Sequence, residues 1–230
     1  MSDIRALASL PAPAWFPPEE AIARMLAQHV PLYRWRRPRY ALQLLKDLAA
    51  LLPEGPCRLV DIGGGSGLLG ETIAQFFPGK QVTAIDVVER FLPGLTIAHC
   101  GFDGQSVPFA DRSFDCALLC NVLHHVPRPQ RGRLLAEALR VTGGASVVIK
   151  DHVAASGLDR ARLAWLDCLG NLPFGGMVRA EYLSIIEWQA LFEQAGCAAE
   201  SFSGSPYRAG FAKLAFPNRL EILFRLRAAA

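Results

Sequence analysis

Along the chain, stretches where apolar residues recur every three or four positions alternate with short runs where they are nearly continuous. The first pattern predicts amphipathic helices, and the second predicts strands buried on both faces. Ile22, Met25, Leu26 and Val30 form a helical stripe over residues 18–30, opened by Pro18, Glu19 and Glu20. A proline at the first helical position and acids in the first turn suit the positive end of a helix dipole. Leu44, Leu45, Leu48, Leu51 and Leu52 mark a second helix over 41–52, ended by Pro53. Apolar runs follow at 59–62, 81–86, 95–100, 114–120 and 145–149, with helices expected up to Phe77 and over 129–142. Ser184 and Glu187 have the spacing of a capping box, and open a helix whose Trp188, Leu191, Phe192 and Ala195 share one face. Residues 197–203 and 218–226 predict two last strands. Strands alternating with helices predict an α/β fold.

Composition narrows this only a little. A chain of 230 residues is enough for one α/β domain with a full core. Hydrophobic residues make up 51% and charged residues 20%, as in a globular protein. A net charge of +3 is too small to argue for nucleic acid. No run of about 18 apolar residues appears, so no membrane span is predicted. The Pro- and Ala-rich start lacks a basic stretch followed by an apolar core, so no signal peptide is expected. Cys57, Cys100, Cys116, Cys120, Cys168 and Cys197 include no C-x-x-C pair. They are expected to be reduced and mostly buried, in a cytoplasmic protein.

The chemistry centres on residues 58–70, RLVDIGGGSGLLG. A buried strand runs into a glycine-rich turn and then a helix, and Asp61 stands at the strand's carboxyl end. Gly63, Gly65 and Gly67 let a ligand approach the backbone, and the amides of the helix start face it. Two readings compete. Gly65 to Gly70 matches G-x-G-x-x-G, a dinucleotide fingerprint that places helix amides against a pyrophosphate. Asp61 to Gly67 also reads as D-x-G-x-G-x-G, and a carboxylate there suits a cation and repels a pyrophosphate. Asp86 ends the second strand, where an acid can accept ribose hydroxyls under either reading.

The longer phrase resembles motif I of the class I S-adenosylmethionine-dependent methyltransferases, in particular the small-molecule group like the ubiquinone and menaquinone methyltransferases (methyltransferase type 11). Three further features carry the resemblance: Asp86; Asp103 followed by Val107-Pro108-Phe109 and Phe114-Asp115; and Asn121 to Val126, NVLHHV. The resemblance implies a Rossmann-like, seven-stranded, mostly parallel sheet with an antiparallel last strand and helices on both faces. It implies S-adenosylmethionine as cofactor and S-adenosylhomocysteine as product. By it, Phe102 and Asp103 meet the adenine, and Asn121 and Val122 flank the methionine part. The segment at about 153–183 is expected to build the acceptor pocket, inserted in a single domain 41–230 behind a helical lid, 1–40.

His152, at the carboxyl end of the fifth strand, and His124 are candidate general bases for an acceptor that must lose a proton. Tyr33, His125, Asn171 and Tyr182 are candidates for acceptor contact. No metal site is expected, because His124 and His125 are adjacent and diverge on a helix. Residues 33–40 mix Arg34, Arg36, Arg37 and Arg39 with aromatics, which suits a lid or helix junction better than nucleic acid. The expected acceptor is a small hydrophobic or aromatic molecule methylated on O, N or C. An NAD(P)-dependent oxidoreductase and a non-catalytic binding module stay open, and so does assembly as a homodimer.

Overall fold

The computed structural model describes residues 11–171, 179–204 and 206–228. Its centre is one sheet built from β1 (Cys57–Ile62), β2 (Lys80–Asp86), β3 (Ala98–Gly101), β4 (Cys116–Cys120), β5 (Val147–His152), β6 (Cys197–Ser203) and β7 (Glu221–Ala228). The order is β3-β2-β1-β4-β5-β7-β6. The first five strands are parallel, and β7 runs antiparallel between β5 and β6. The expected mixed Rossmann-like sheet is therefore present.

The period-two geometry of a strand divides its side chains between two cores. Leu59, Cys116 and Leu118 point to one face, where they meet α1 (Glu19–His29), α2 (Arg39–Leu51) and α3 (Leu68–Phe76). Val60, Ile62, Ala117 and Leu119 point to the other, against α4 (Arg128–Thr142) and α6 (Ile185–Gln194). The capping box at α6 forms as the sequence predicts, with Ser184 and Glu187 bonded reciprocally. Two further helices, α5 (Gly157–Asn171) and α7 (Gly210–Ala215), complete the described elements. None of the described helices is long and apolar enough to cross a membrane. Helix α1 contributes Ile22, Met25 and Leu26 to the first core. Arg37 of the basic stretch pairs with Glu19 of that helix at 2.5 Å, which pins the junction between α1 and α2.

Among the boundaries that differ from the sequence expectation, three have a clear physical cause. The third strand starts at Ala98 rather than at residue 95, because the Thr96 and Ile97 amides donate to the Glu71 carboxylate at 2.8 and 3.2 Å and leave the ladder. The last strand starts at Glu221, because residues 218–220 form a 3-10 turn held by Asn218 on the Arg208 backbone. Lys150, Asp151 and His152, beyond the apolar run at 145–149, belong to the fifth strand. They are its last three residues, paired with Leu223, Ile222 and Glu221. Of the segment expected to build the acceptor pocket, residues 172–178 lie outside the described residues.

Candidate functional site

The parallel strands β1, β2 and β4 end side by side, and a cavity of about 500 Å³ opens beyond their carboxyl ends. Its walls bring together Asp61, Gly63, Gly65, Asp86, Phe102, Asp103, Asn121 and Val122. Four loops separated by up to sixty residues thus converge where open α/β sheets bind ligands. Gly67 is not in the wall. A Cβ on Gly67 would stand 2.5 Å from Leu95 Cδ1, so this glycine serves the packing of the turn.

Gly63 takes φ +78°, and a Cβ there would meet Val122 Cγ2 at 2.5 Å. The backbone of the first turn therefore lies directly on the side chain of the fourth. Asp86 holds the next part of the turn: its Oδ2 accepts the Gly65 amide at 2.8 Å, and its Oδ1 accepts the Val88 amide at 2.9 Å. Asp103 accepts the amides of Gln105 and Ser106 at 2.7 Å each, which shapes its loop and holds its carboxyl below the ordinary range.

Asp61 differs from both. It is buried, and its Oδ2 has no hydrogen-bond partner. Burial, helped by the nearby Asp86 charge, pushes its carboxyl up to about 7. A buried carboxylate oxygen without a partner costs free energy unless a donor or cation meets it. Facing the cavity, it fits an ammonium group and disfavours a phosphate. The residues present thus fit a methionine-bearing nucleoside such as S-adenosylmethionine.

The histidines are arranged otherwise than their sequence positions suggest. Residues 121–126 form a turn, with His125 N bonded to Val122 O at 2.9 Å and Val126 N to Leu123 O at 3.2 Å. On a turn, neighbouring side chains converge, and the rings of His124 and His125 lie 4.0 Å apart between centroids. One donor atom each from His124, His125 and Asp167 falls within 4.8 Å of the other two. The helix-based argument against such a cluster does not apply to this turn.

Of the five predicted catalytic and acceptor residues whose side chains are described, only His125 lines the cavity. Its Nδ1 donates to the Arg179 carbonyl at 2.9 Å, and burial, with the His124 charge beside it, lowers its pKa. His124 is buried behind it. Burial opposes the charge on His124, but Asp151 at 2.5 Å and Asp167 at 3.3 Å raise its pKa to about 9. Asp151, despite burial, is correspondingly lowered to about 2. His152 is also buried. It is no surface histidine, and its Nδ1 lies 3.3 Å from Glu221 Oε2. Tyr182 is buried, donates to Asp167 and stacks on His124 at 5.6 Å. Tyr33 packs on the first core instead. Asn171 closes α5, and its side chain lies outside the described residues.

A polar network missed by sequence reasoning supports the wall. Asn121 sits at φ +57°, donates to the Tyr40 hydroxyl at 2.9 Å and accepts from Lys150 Nζ at 2.6 Å. Lys150 pairs with Glu221 at 2.5 Å, and Arg208 meets the same carboxylate at 2.5 Å. Burial opposes both charges of the first pair, yet their mutual attraction holds Lys150 well above and Glu221 well below their ordinary ranges. Three successive ionisable residues ending an apolar strand were the available signal for Lys150 and Asp151. Nothing local to Glu221 links it to them.

Residues 60–148 match a family described as a methyltransferase domain. The ubiquinone biosynthesis O-methyltransferase of Cereibacter sphaeroides is 32% identical over 111 residues, which span 44% of each protein, so the match covers under half of that relative. An S-adenosylmethionine-dependent methyltransferase from Mesorhizobium loti shares the fold at TM-score 0.57 and 18% identity, over 80% of this chain and 97% of that one. The [4+2]-cyclase SpnF shares it at TM-score 0.59 and 17% identity, over 98% and 99% of the two chains.

Proposed function

We propose that the chain, whose residues 60–148 match a methyltransferase domain, is a class I S-adenosylmethionine-dependent methyltransferase and transfers a methyl group to the oxygen of a small hydroxylated aromatic molecule. The observation that carries this reading is Asp61, a buried carboxylate with an unpartnered oxygen in the wall of the cavity. In this proposal Asp61 holds the cofactor's ammonium. Asp86 takes the ribose hydroxyls, Phe102 and Asp103 take the adenine, and Asn121 and Val122 bound the methionine part. When bound, S-adenosylmethionine supplies a sulfonium methyl already activated for in-line transfer.

The protein's task is then to hold the acceptor in line, and positioning of that kind can contribute roughly 7–11 kcal/mol. His125 is the side chain placed to contact the acceptor's hydroxyl. His124 and His152 act behind it as positioning residues, not at the reacting atoms. The apolar part of the wall, Leu44, Leu69, Val126 and Leu134, supports a hydrophobic acceptor. The O-methyl direction rests on the likeness to the Cereibacter enzyme. In this proposal the described residues 11–40 serve as the lid segment and touch the site through Tyr40, which bonds Asn121, and the described residues 153–171 and 179–183 serve the acceptor side.

Calorimetric titration with S-adenosylmethionine, S-adenosylhomocysteine and NAD tests the reading. Micromolar binding of the first two and none of NAD is expected. Binding of NAD alone would overturn it and return residues 65–70 to the dinucleotide proteins. Cofactor binding with no methylation across a panel of catechols and hydroquinones would make the protein a binding module.

A further inference from the structure

We propose that His124, His125 and Asp167 form a binding site for a divalent transition-metal ion of the zinc class at the inner end of the cavity. The three donors come from two elements distant in sequence, the turn after β4 and helix α5, and they converge within 4.8 Å. The separation of His124 Nε2 and Asp167 Oδ2 is 3.3 Å. Two ligands at about 2.1 Å from a tetrahedral ion stand about 3.4 Å apart, so this edge of the site is already formed.

The surroundings have the features of a second coordination sphere. A metal-binding histidine donates its other ring nitrogen to a carboxylate or a backbone carbonyl, which fixes the tautomer and the ring. His124 Nδ1 donates to the buried Asp151 at 2.5 Å, and His125 Nδ1 donates to the Arg179 carbonyl at 2.9 Å. His124 thereby has Nε2 as its coordinating nitrogen. Tyr182 donates to Asp167 and orients it. His124 Nε2 is buried against the Asp167 carboxylate, and a coordination bond would take the place of that contact.

The turn itself is firmly held. Glu181 N donates to the His124 carbonyl at 2.7 Å, and the buried Arg131 bridges the carbonyls of Val126 and Glu181 at 2.8 Å each. Two imidazoles and a carboxylate select zinc, cobalt, manganese or ferrous iron over magnesium or calcium. Three protein ligands would leave coordination positions open, and His125 lines the cavity. The site rests on these side chains alone: in the metal-free protein the His125 ring meets the acceptor directly, and in the metal-bound protein an open coordination position would take that place.

The test is titration of the chelator-treated full-length protein with Co²⁺, followed by visible ligand-field absorption. One Co²⁺ per chain is expected, with an absorption free of thiolate charge transfer. His125→Gln and Asp167→Asn should each weaken binding at least about tenfold, with folding checked by circular dichroism. X-ray absorption of the wild-type cobalt protein should count two imidazoles and no sulfur, and this does not depend on any variant's folding. Absence of ligand-field absorption, a thiolate band from the six cysteines, or undiminished binding in both folded variants would overturn the proposal.

Discussion

Asn121 donates to the hydroxyl of Tyr40 at 2.9 Å, a contact between residues 81 positions apart that ties helix α2 to the turn after β4. Burial raises the Tyr40 hydroxyl to about 12, so it stays a neutral partner at every physiological pH. Asn121 also holds a left-handed backbone, at φ +57°, which asparagine tolerates better than most residues. Tyr40→Phe should leave the Asn121 amide short of a partner. A loss of about 1–2 kcal/mol is expected, seen as a melting temperature lower by about 2–8 °C. Weaker S-adenosylhomocysteine binding in calorimetry should accompany it, and unchanged values of both would dissociate α2 from the site.

Asp61 gives a pH signature whose sign is fixed by its burial. Its folded pKa of about 7 lies above the ordinary carboxyl value, so folding stability falls as pH rises through that interval. Asp61→Asn should therefore raise the melting temperature at pH 8, to a greater degree than at about pH 5. A cationic ligand favours the ionised form. Wild-type affinity for S-adenosylmethionine should rise between about pH 6 and pH 7.5, and this rise should vanish in Asp61→Asn. A parallel pH dependence in the two proteins would remove Asp61 from the ligand's reach.

His125 is the histidine in the cavity wall. His125→Gln should leave cofactor affinity within about threefold while single-turnover methyl transfer to a catechol falls about 10²–10⁴-fold. Loss of affinity and rate together would place His125 on the cofactor side. His152→Gln should act less on the rate and more on stability, since His152 lies against Glu221 and not in the wall.

Lys150 and Glu221 form a buried ion pair at 2.5 Å. Removing one partner of such a pair usually costs about 3–5 kcal/mol, because the other charge stays buried. Arg208 still meets Glu221 at 2.5 Å, so Lys150→Met should fall at the lower end, about 3 kcal/mol by urea unfolding. Lys150→Met/Glu221→Gln should lose more, since it also leaves Arg208 without its counter-charge.

The sequence was most legible where chemistry is local. The glycine turn, Asp86 and Asp103 each declare themselves through their immediate neighbours, and all come to one cavity except Gly67, whose demand is set by Leu95. The histidines were less legible, because a turn and a helix place adjacent side chains differently, and no local pattern separated the two at 121–126. His152 looked like a loop residue because the pairing of β5 with β7 extends the strand beyond its apolar run. Asp167 and Glu221 were invisible: each lies far along the chain from the residues it serves, and only the assembled fold joins them.

The position of β7 has a consequence for the order of events during synthesis. It follows every other described strand, yet sits between β5 and β6. Until it emerges from the ribosome, β5 keeps a raw edge, and Lys150 waits without its counter-charge. The glycine turn and the loops after β2 and β4 are by then long since made. A nascent chain can thus have its nucleoside-facing wall in place before the ion-paired wall behind the histidines exists, so the last strand to arrive also completes the polar support of the site.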